Sequence, residues 1–312
     1  MQSRTSGPKC IIIAGPTSSG KSSLSVELAL AMDGKILNAD SMQVYRGMDI
    51  GTAKPTPEEQ KGIPHLLLNV VNPDEAFNAA IYRSMALPLV TEVVSDGKTC
   101  FVTGGTGLYI KSLTKGLFPC PPADPEFRES LRIECEARGT MALYEKLKLL
   151  DPESADRTHP NDKFRILRAL EIAHLTKRRP SELFNEHGFS DTPLNTLKIC
   201  LEVERELLYR RINERTVAMV ETGLPEETEN LLAKGYSPDL KPMKSIGYRH
   251  MVNYLRGEWS LEETIYTIQR DTRRYAKRQL TWFRADQEYV WIKPEDFDII
   301  LAKAKAFLFE NA

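Results

Sequence analysis

Gly15-Pro16-Thr17-Ser18-Ser19-Gly20-Lys21-Ser22 fits the pattern G-x-x-x-x-G-K-[ST] at every constrained position. The residues before it, Ile11-Ile12-Ile13-Ala14, are apolar and β-branched, which predicts a buried strand of a parallel sheet. Residues 21–32 place Leu24, Leu28 and Ala31 on one face of a helix, with Gly34 as its expected stop. Strand, glycine loop and helix in that order turn the pattern into a phosphate site. Two glycines let backbone N–H groups converge on an anion, and the helix start adds unsatisfied donors and a positive dipole end. Lys21 brings a mobile cation, and the Ser22 hydroxyl is a candidate ligand for Mg²⁺. The pattern specifies a polyphosphate. It does not choose between a nucleotide such as ATP and a diphosphate ester, which offers the same oxygens.

With 312 residues the chain can build one large or two ordinary domains. Hydrophobic content of 41% and charged content of 27% are those of a soluble globular protein. A formal net charge of −1 means that any nucleic-acid surface must arise from local clustering. Cys10, Cys100, Cys120, Cys135 and Cys200 are scattered without a C-x-x-C pair, which argues against a zinc finger and for reduced thiols in a cytoplasmic protein. Residues 1–9 have no apolar core and are not expected to be a signal peptide. No apolar run approaches membrane-spanning length, so no membrane partner is expected.

Residues 35–40 predict a second strand that ends in Asp40 and leads into Ser41-Met42-Gln43. Ligands of open α/β sheets gather beyond the carboxyl ends of the strands, so Asp40 and the glycine loop are expected at one edge. Asp40 is then a general base or a metal ligand, the alternative being an ordinary helix-capping aspartate. Residues 46–64 are loop-like, and 77–95 predict a helix interrupted or bent at Pro88. Residues 99–103 predict a third strand running into Gly104-Gly105-Thr106-Gly107. A second glycine loop at that edge permits close approach of a ligand, with Thr106 able to aim its hydroxyl at a leaving phosphate.

The proline-dense stretch 119–125 reads as a domain boundary. Beyond it the strand signal disappears and an all-helical insert is expected. Phe127, Leu131 and Cys135 share one helical face, as do Leu143, Leu147 and Leu150. Asp151-Pro152 is an N-cap with proline in the first helical position. A further helix starts at Asn161 or Asp162 and buries Ile166, Leu170 and Ala173. Arg165 and Arg168 sit beside that stripe with no acid apparent on their side, which favours a phosphate partner. The chain returns to the core over 188–193. The resulting division is 1–119, an insert of 120–195, and 196–312.

Residues 197–203 predict a strand, and 204–222 a strong helix with Leu208, Ile212, Arg215 and Met219 on one stripe. An arginine in an apolar stripe needs a partner, either a buried carboxylate or an anionic ligand, and the ligand is favoured. Residues 241–284 carry ten Lys/Arg against four Asp/Glu, a local +6 in a chain of net −1. Ser260 and Glu263 form a capping box that opens a long helix packed through Leu261, Ile265, Ile268 and Tyr275. Its cations, followed by Gln279, Trp282 and Phe283, suit a single-stranded or loop RNA, although both large aromatics are expected in the core.

The blocks Gly15 to Ser22, Asp40-Ser41-Met42-Gln43-Val44-Tyr45, Gly47-Met48-Asp49-Ile50-Gly51-Thr52-Ala53-Lys54-Pro55, Gly104-Gly105-Thr106-Gly107-Leu108-Tyr109 and Tyr275-Ala276-Lys277-Arg278-Gln279-Leu280-Thr281-Trp282-Phe283-Arg284 together resemble the bacterial tRNA dimethylallyltransferases, from Cys10 to about residue 291. The resemblance implies an α/β fold: a P-loop NTPase-like core with a parallel sheet and an inserted helical domain. It implies transfer of the dimethylallyl group from dimethylallyl diphosphate to N6 of adenosine 37, beside the anticodon in the tRNA stem-loop, with Mg²⁺ and release of diphosphate. By position, Asp40 and Thr106 would be catalytic. Gly15, Pro16, Thr17, Ser18, Ser19, Gly20, Lys21, Ser22 and Arg215 would hold the diphosphate. Contacts to tRNA would come from Asp40, Ser41, Met42, Gln43, Thr106, Arg128, Phe164, Arg165, Ile166, Leu167, Arg168, Lys244, Ser245, Ile246, Gly247, Tyr248, Arg249, Lys277 and Arg278. Ser22 stands where the family often has Thr, which keeps the hydroxyl, and Leu66 follows His65 where a second His is frequent. A monomer is expected. An adenylate isopentenyltransferase acting on free nucleotide and a small-molecule kinase are the alternatives. The helical insert and basic tail argue against the first, and the lack of an arginine-rich lid against the second.

Overall fold

The computed structural model describes residues 7–122, 124–188 and 190–309. Parts of the expectations for the leader, the proline cluster and the return segment therefore lie outside the described residues. The chain forms two compact units, one of residues Lys115–Asp191 and one of the segments before and after it.

The first unit opens with β1 (Lys9–Ala14), α1 (Lys21–Ala31), β2 (Gly34–Asn38), α2 (Pro57–Gln60), β3 (His65–Leu66), α3 (Ala79–Ser95), β4 (Thr99–Gly104) and α4 (Gly107–Lys115). The second unit is helical, with α5 (Pro125–Leu150), α6 (Pro152–Asp156), α7 (Lys163–Thr176) and α8 (Pro180–His187). The first then resumes with β5 (Asn195–Leu201), α9 (Arg205–Glu221), α10 (Leu224–Ala233), α11 (Tyr248–Leu255), α12 (Leu261–Arg284), β6 (Tyr289–Ile292) and α13 (Phe297–Phe309).

The six strands pair in the order β3-β2-β4-β1-β5-β6, every pair parallel. β1 lies between β4 and β5, with Ile13 opposite both Thr103 and Ile199. Covered on both faces, it must be apolar throughout, which is why its isoleucine run does not alternate with polar residues. Cys10, Ile12 and Ala14 face a core shared with Tyr82, Val90 and Tyr109, whereas Ile11 and Ile13 face Leu24, Leu28 and Ile300. Ala14 is opposite Gly104, and Asn38 is opposite Thr103. That register brings the segments after β1, β2 and β4 out at one sheet edge, with the Ala39 N–H continuing the ladder to the Thr103 carbonyl at 2.7 Å.

Several local expectations change in the fold. Ala31 is exposed, and α1 instead buries Leu24, Ser25, Val26, Leu28 and Ala29. The turn after α1 falls on Asp33, with φ 48°, and Gly34 begins β2, where a Cβ would stand 2.7 Å from the Phe101 ring. Asn78 caps α3, which runs through Pro88 without a break. The loop expected over 46–64 contains α2, opened by a Thr56–Glu59 capping box. Leu150 and Leu261 are exposed. Phe283 is buried as expected, but Trp282 is 39% exposed.

In the second unit Asp124 caps α5, and Gly139, with non-helical backbone, divides it. Leu131, Cys135, Leu143, Leu147, Ile166 and Leu170 form the core. Asp151 is buried and accepts from the Ser154 and Ser181 N–H groups at 3.1 and 2.8 Å, so one carboxylate caps both α6 and α8. The return to the sheet is made at Asn195, where β5 pairs with β1 from Lys9 onward.

Candidate active site

Gly20 caps α1 in the left-handed region, φ 88°, a conformation that only glycine adopts without strain. That turn directs the N-terminus of α1 into a cavity of about 1090 Å³, whose lining includes Thr17 to Ser22, Asp40 to Gln43 and Arg215. Lys21 donates to the Pro16 carbonyl at 2.6 Å. Desolvation lowers its pKa to about 8, with Asp40 opposing the shift and Arg215 adding to it. Arg215 extends from α9 and donates to the hydroxyls of Thr17 at 3.1 Å and Ser18 at 3.5 Å. Burial lowers its pKa as well. Among the described residues it makes no ion pair, so the partner demanded by its place on an apolar stripe is the phosphate loop. The Ser19 hydroxyl is buried and lacks a hydrogen-bond partner among the described residues.

Asp40 follows β2. Its Oδ1 accepts from the Met42 N–H at 2.8 Å, and the Asn38 carboxamide accepts from its own N–H at 3.2 Å. One carboxylate oxygen is thus engaged in a local turn while the residue lines the same cavity as Lys21. No helix starts after Asp40, so the carboxylate closes a local turn rather than capping a helix, and its residue faces the cavity. The Thr106 hydroxyl accepts from the Ser41 N–H at 2.9 Å, and the Thr106 N–H donates to Ala39 at 3.2 Å. Thr106 therefore anchors the Asp40 turn.

The sequence sets Gln279 beside the RNA-facing cations of α12, whereas the structure places it between the two glycine loops. Its Oε1 accepts from the Thr17 N–H at 2.9 Å, and its Nε2 donates to the Gly105 carbonyl at 2.9 Å. The residue is 6% exposed, and a Cβ on Gly105 would lie 2.2 Å from Nε2. One amide from α12 therefore links the two glycine loops. Tyr275, one helical turn earlier on α12, lines the cavity beside it. Burial and the Asp40 charge raise its phenol pKa, so it stays a neutral hydrogen-bonding group. The available signal was the i, i+4 spacing of Tyr275 and Gln279 in a helix otherwise crowded with cations.

The remaining positions sort by exposure. Ser245, Ile246, Gly247, Arg249 and Arg278 line the cavity, and Lys277 is exposed on α12. Lys244 pairs with Asp239 at 2.8 Å. Tyr248 is fully buried and bonds Glu227 at 2.5 Å, so its side chain is not a solvent-facing contact. In the second unit Phe164 is 81% exposed, while Ile166 is fully buried and Leu167 packs on the core. The arginines there do have acids. Glu171 accepts from Arg128 at 2.7 Å and Arg168 at 2.5 Å, and Arg165 lies 3.4 Å from Asp162. Glu171 is 1% exposed, and its other oxygen has no hydrogen-bond partner among the described residues. The expectation of unpaired arginines fails because Glu171, three positions after Arg168, turns back toward it.

A family model described as IPP transferase matches residues 43–286. The chain belongs to the IPP transferase family. The transferase is 51% identical over 293 residues to a tRNA dimethylallyltransferase of Syntrophobacter fumaroxidans, covering 94% of this chain and 86% of that one. It is 52% identical over 300 residues to one of Geobacter sulfurreducens, covering 96% of each. Its fold matches a solved tRNA isopentenylpyrophosphate transferase from Bacillus halodurans with a TM-score of 0.73 and 40% identity, over 97% of both chains. It also matches a eukaryotic dimethylallyltransferase acting on tRNA, with a TM-score of 0.83 and 28% identity, over 97% of this chain and 80% of the other. The transferase thus has the P-loop NTPase-like fold of these neighbours. Among the described residues no helix is long and apolar enough to cross a membrane.

Proposed function

We propose that this transferase moves the dimethylallyl group from dimethylallyl diphosphate to N6 of adenosine 37 in tRNA, forming N6-dimethylallyl-adenosine and diphosphate. The observation that carries the reading is the single cavity in which Lys21 and Arg215 flank a glycine cradle and Asp40 lines the same space. An anion holder and a base are what this substitution needs. The family relatives named above supply the reaction class.

In the reaction the allylic C–O bond breaks as the C–N6 bond forms, and the N6 proton passes to the Asp40 carboxylate. The adenine amine is a weak nucleophile because its lone pair is shared with the ring. The larger demand is therefore to stabilise charge growing on the leaving diphosphate. Backbone N–H groups of the loop, Lys21 and Arg215 meet that charge, and Gln279 holds the loop in place. Asp40 is held by its turn to accept a hydrogen bond from the amine before taking the proton. Adenosine must leave its stack to enter the cavity. Ser245, Ile246, Arg249, Lys277 and Arg278 present the surface for the anticodon stem-loop, and Phe164, Arg128 and Arg168 present a further one in the helical unit.

The donor set also suits a divalent ion carried by the substrate. Ser22 offers one hydroxyl at the cavity, and no group of three His, Cys, Asp or Glu able to hold a metal occurs among the described residues. Mg²⁺ is commonly bound through substrate phosphates with few protein ligands, and Ser22 would be that ligand here. When bound, the ion neutralises charge on the diphosphate. The test is mass spectrometry of adenosine 37 after incubating the protein with unmodified tRNA, dimethylallyl diphosphate and Mg²⁺. A 68 Da gain, the mass of a C₅H₈ increment, supports the reading, and unmodified adenosine with intact donor refutes it.

A further inference from the structure

Glu227 lies on α10, outside the blocks that carry the family resemblance and outside the substrate cavity. Its Oε2 accepts from the N–H groups of Asp49 and Ile50, both at 2.8 Å. Its Oε1 accepts from the Gly51 N–H at 3.0 Å and from the Tyr248 hydroxyl at 2.5 Å. Four donors from two distant segments therefore meet one carboxylate. Three successive N–H groups converging on an anion form the kind of nest usually offered to a phosphate, filled here from within the protein.

Both segments lead to the substrate cavity. The 49–53 loop continues into Thr52 and Ala53, whose carbonyls accept from Gln43 Nε2 at 3.2 and 3.0 Å. Gln43 lines the cavity in the turn that carries Asp40. Tyr248 follows Ser245, Ile246 and Gly247, which line another part of the wall. The contact is close, since a Cβ on Gly51 would fall 2.6 Å from the Tyr248 ring. Lys54 ties the loop only to itself and its neighbours, through Asp49, Tyr45 and Asn69. Between the two walls Glu227 adds its hydrogen bonds to the direct contact of Tyr248 with Gly51.

We propose that Glu227 is a positioning residue for tRNA: it holds the Gln43 wall and the 245–249 wall in one register, so the adenosine entrance is preformed. The inference rests on the functional reading above. Charge-assisted bonds of this kind are strong because the acceptor is ionised, and an amide presents an NH₂ group to N–H donors that require an acceptor.

The experiment measures steady-state prenyl transfer with each substrate varied in turn, for wild type, Glu227→Gln and Tyr248→Phe, alongside Tm. For Glu227→Gln the expected result is a KM for tRNA raised roughly tenfold or more, with the KM for dimethylallyl diphosphate within about twofold of wild type. Tyr248→Phe, which removes one of the four donors, should raise the tRNA KM by about threefold with the same selectivity. A lowered Tm with both KM values moving together would show a merely structural role and overturn the proposal, as would an unchanged tRNA KM. If Glu227→Gln does not fold, Tyr248→Phe decides by the same criterion. A wild-type protein that transfers no prenyl group would instead refute the functional reading itself.

Discussion

Replacing Gln279 with Met keeps the length of the side chain and removes both of its hydrogen bonds. The Thr17 N–H and the Gly105 carbonyl each lose a partner at 2.9 Å, in a place where the amide is 6% exposed. A buried polar group left unpaired costs about 1–3 kcal/mol, and water entering the cavity recovers part of that. For two groups a net loss of about 2–4 kcal/mol is expected. If the loop is held mainly for the transition state, this appears in catalysis as a fall in kcat/KM of about 30- to 900-fold. The assay is initial-rate transfer from labelled dimethylallyl diphosphate to tRNA, with Tm measured in parallel. Gln279→Glu sharpens the test, because a carboxylate still accepts from Thr17 but repels the Gly105 carbonyl and the incoming diphosphate. Its loss should exceed that of Met. Wild-type kcat/KM in the Met variant, at unchanged Tm, would refute the idea that one amide sets the spacing of the two loops.

Asp40→Asn keeps an acceptor for the Met42 N–H and loses the proton acceptor, so kcat should fall by about 10²–10⁴ with tRNA affinity retained, read by single turnover and filter binding. On the proposed reading Lys21 would hold the diphosphate in its protonated form, and burial lowers its pKa from 10.5 to about 8. Raising the pH through that value discharges it, so kcat/KM for the prenyl donor should decline above about pH 8, whereas a decline beginning only near 10.5 would refute the lowered value. Lys277→Ala and Arg278→Ala should weaken tRNA binding and each reduce the slope of log K against log salt by about 0.7–0.9, and an unchanged slope would remove that residue from the phosphate contacts. In the helical unit, Glu171→Gln leaves Arg128 and Arg168 without their shared charged partner, so tRNA affinity should drop roughly tenfold, measured by titration at fixed salt.

Sequence alone determined the features that depend on near neighbours in the chain. The phosphate loop, its flanking strand and helix, and the second glycine loop are legible because strand burial, glycine turns and helix starts each act within a few residues. Asp40 could be placed beside the loop because parallel strands present their carboxyl ends at one edge. The Asp151 cap is readable for the same local reason, whereas the sequence leaves the α7 cap between Asn161 and Asp162 and the structure chooses Asp162. Tertiary structure decided what depends on distant partners. Arg215 finds hydroxyls of the phosphate loop 198 residues away, and Gln279 finds Thr17 across 262. Glu227 gathers donors from residues 49–51 and from Tyr248, and Trp282 emerges while Phe283 is buried. A hydrogen bond between such residues leaves no periodicity in the chain. It exists only once the sheet has set the register of Ala14 against Gly104 and α12 has brought its amide between the two loops.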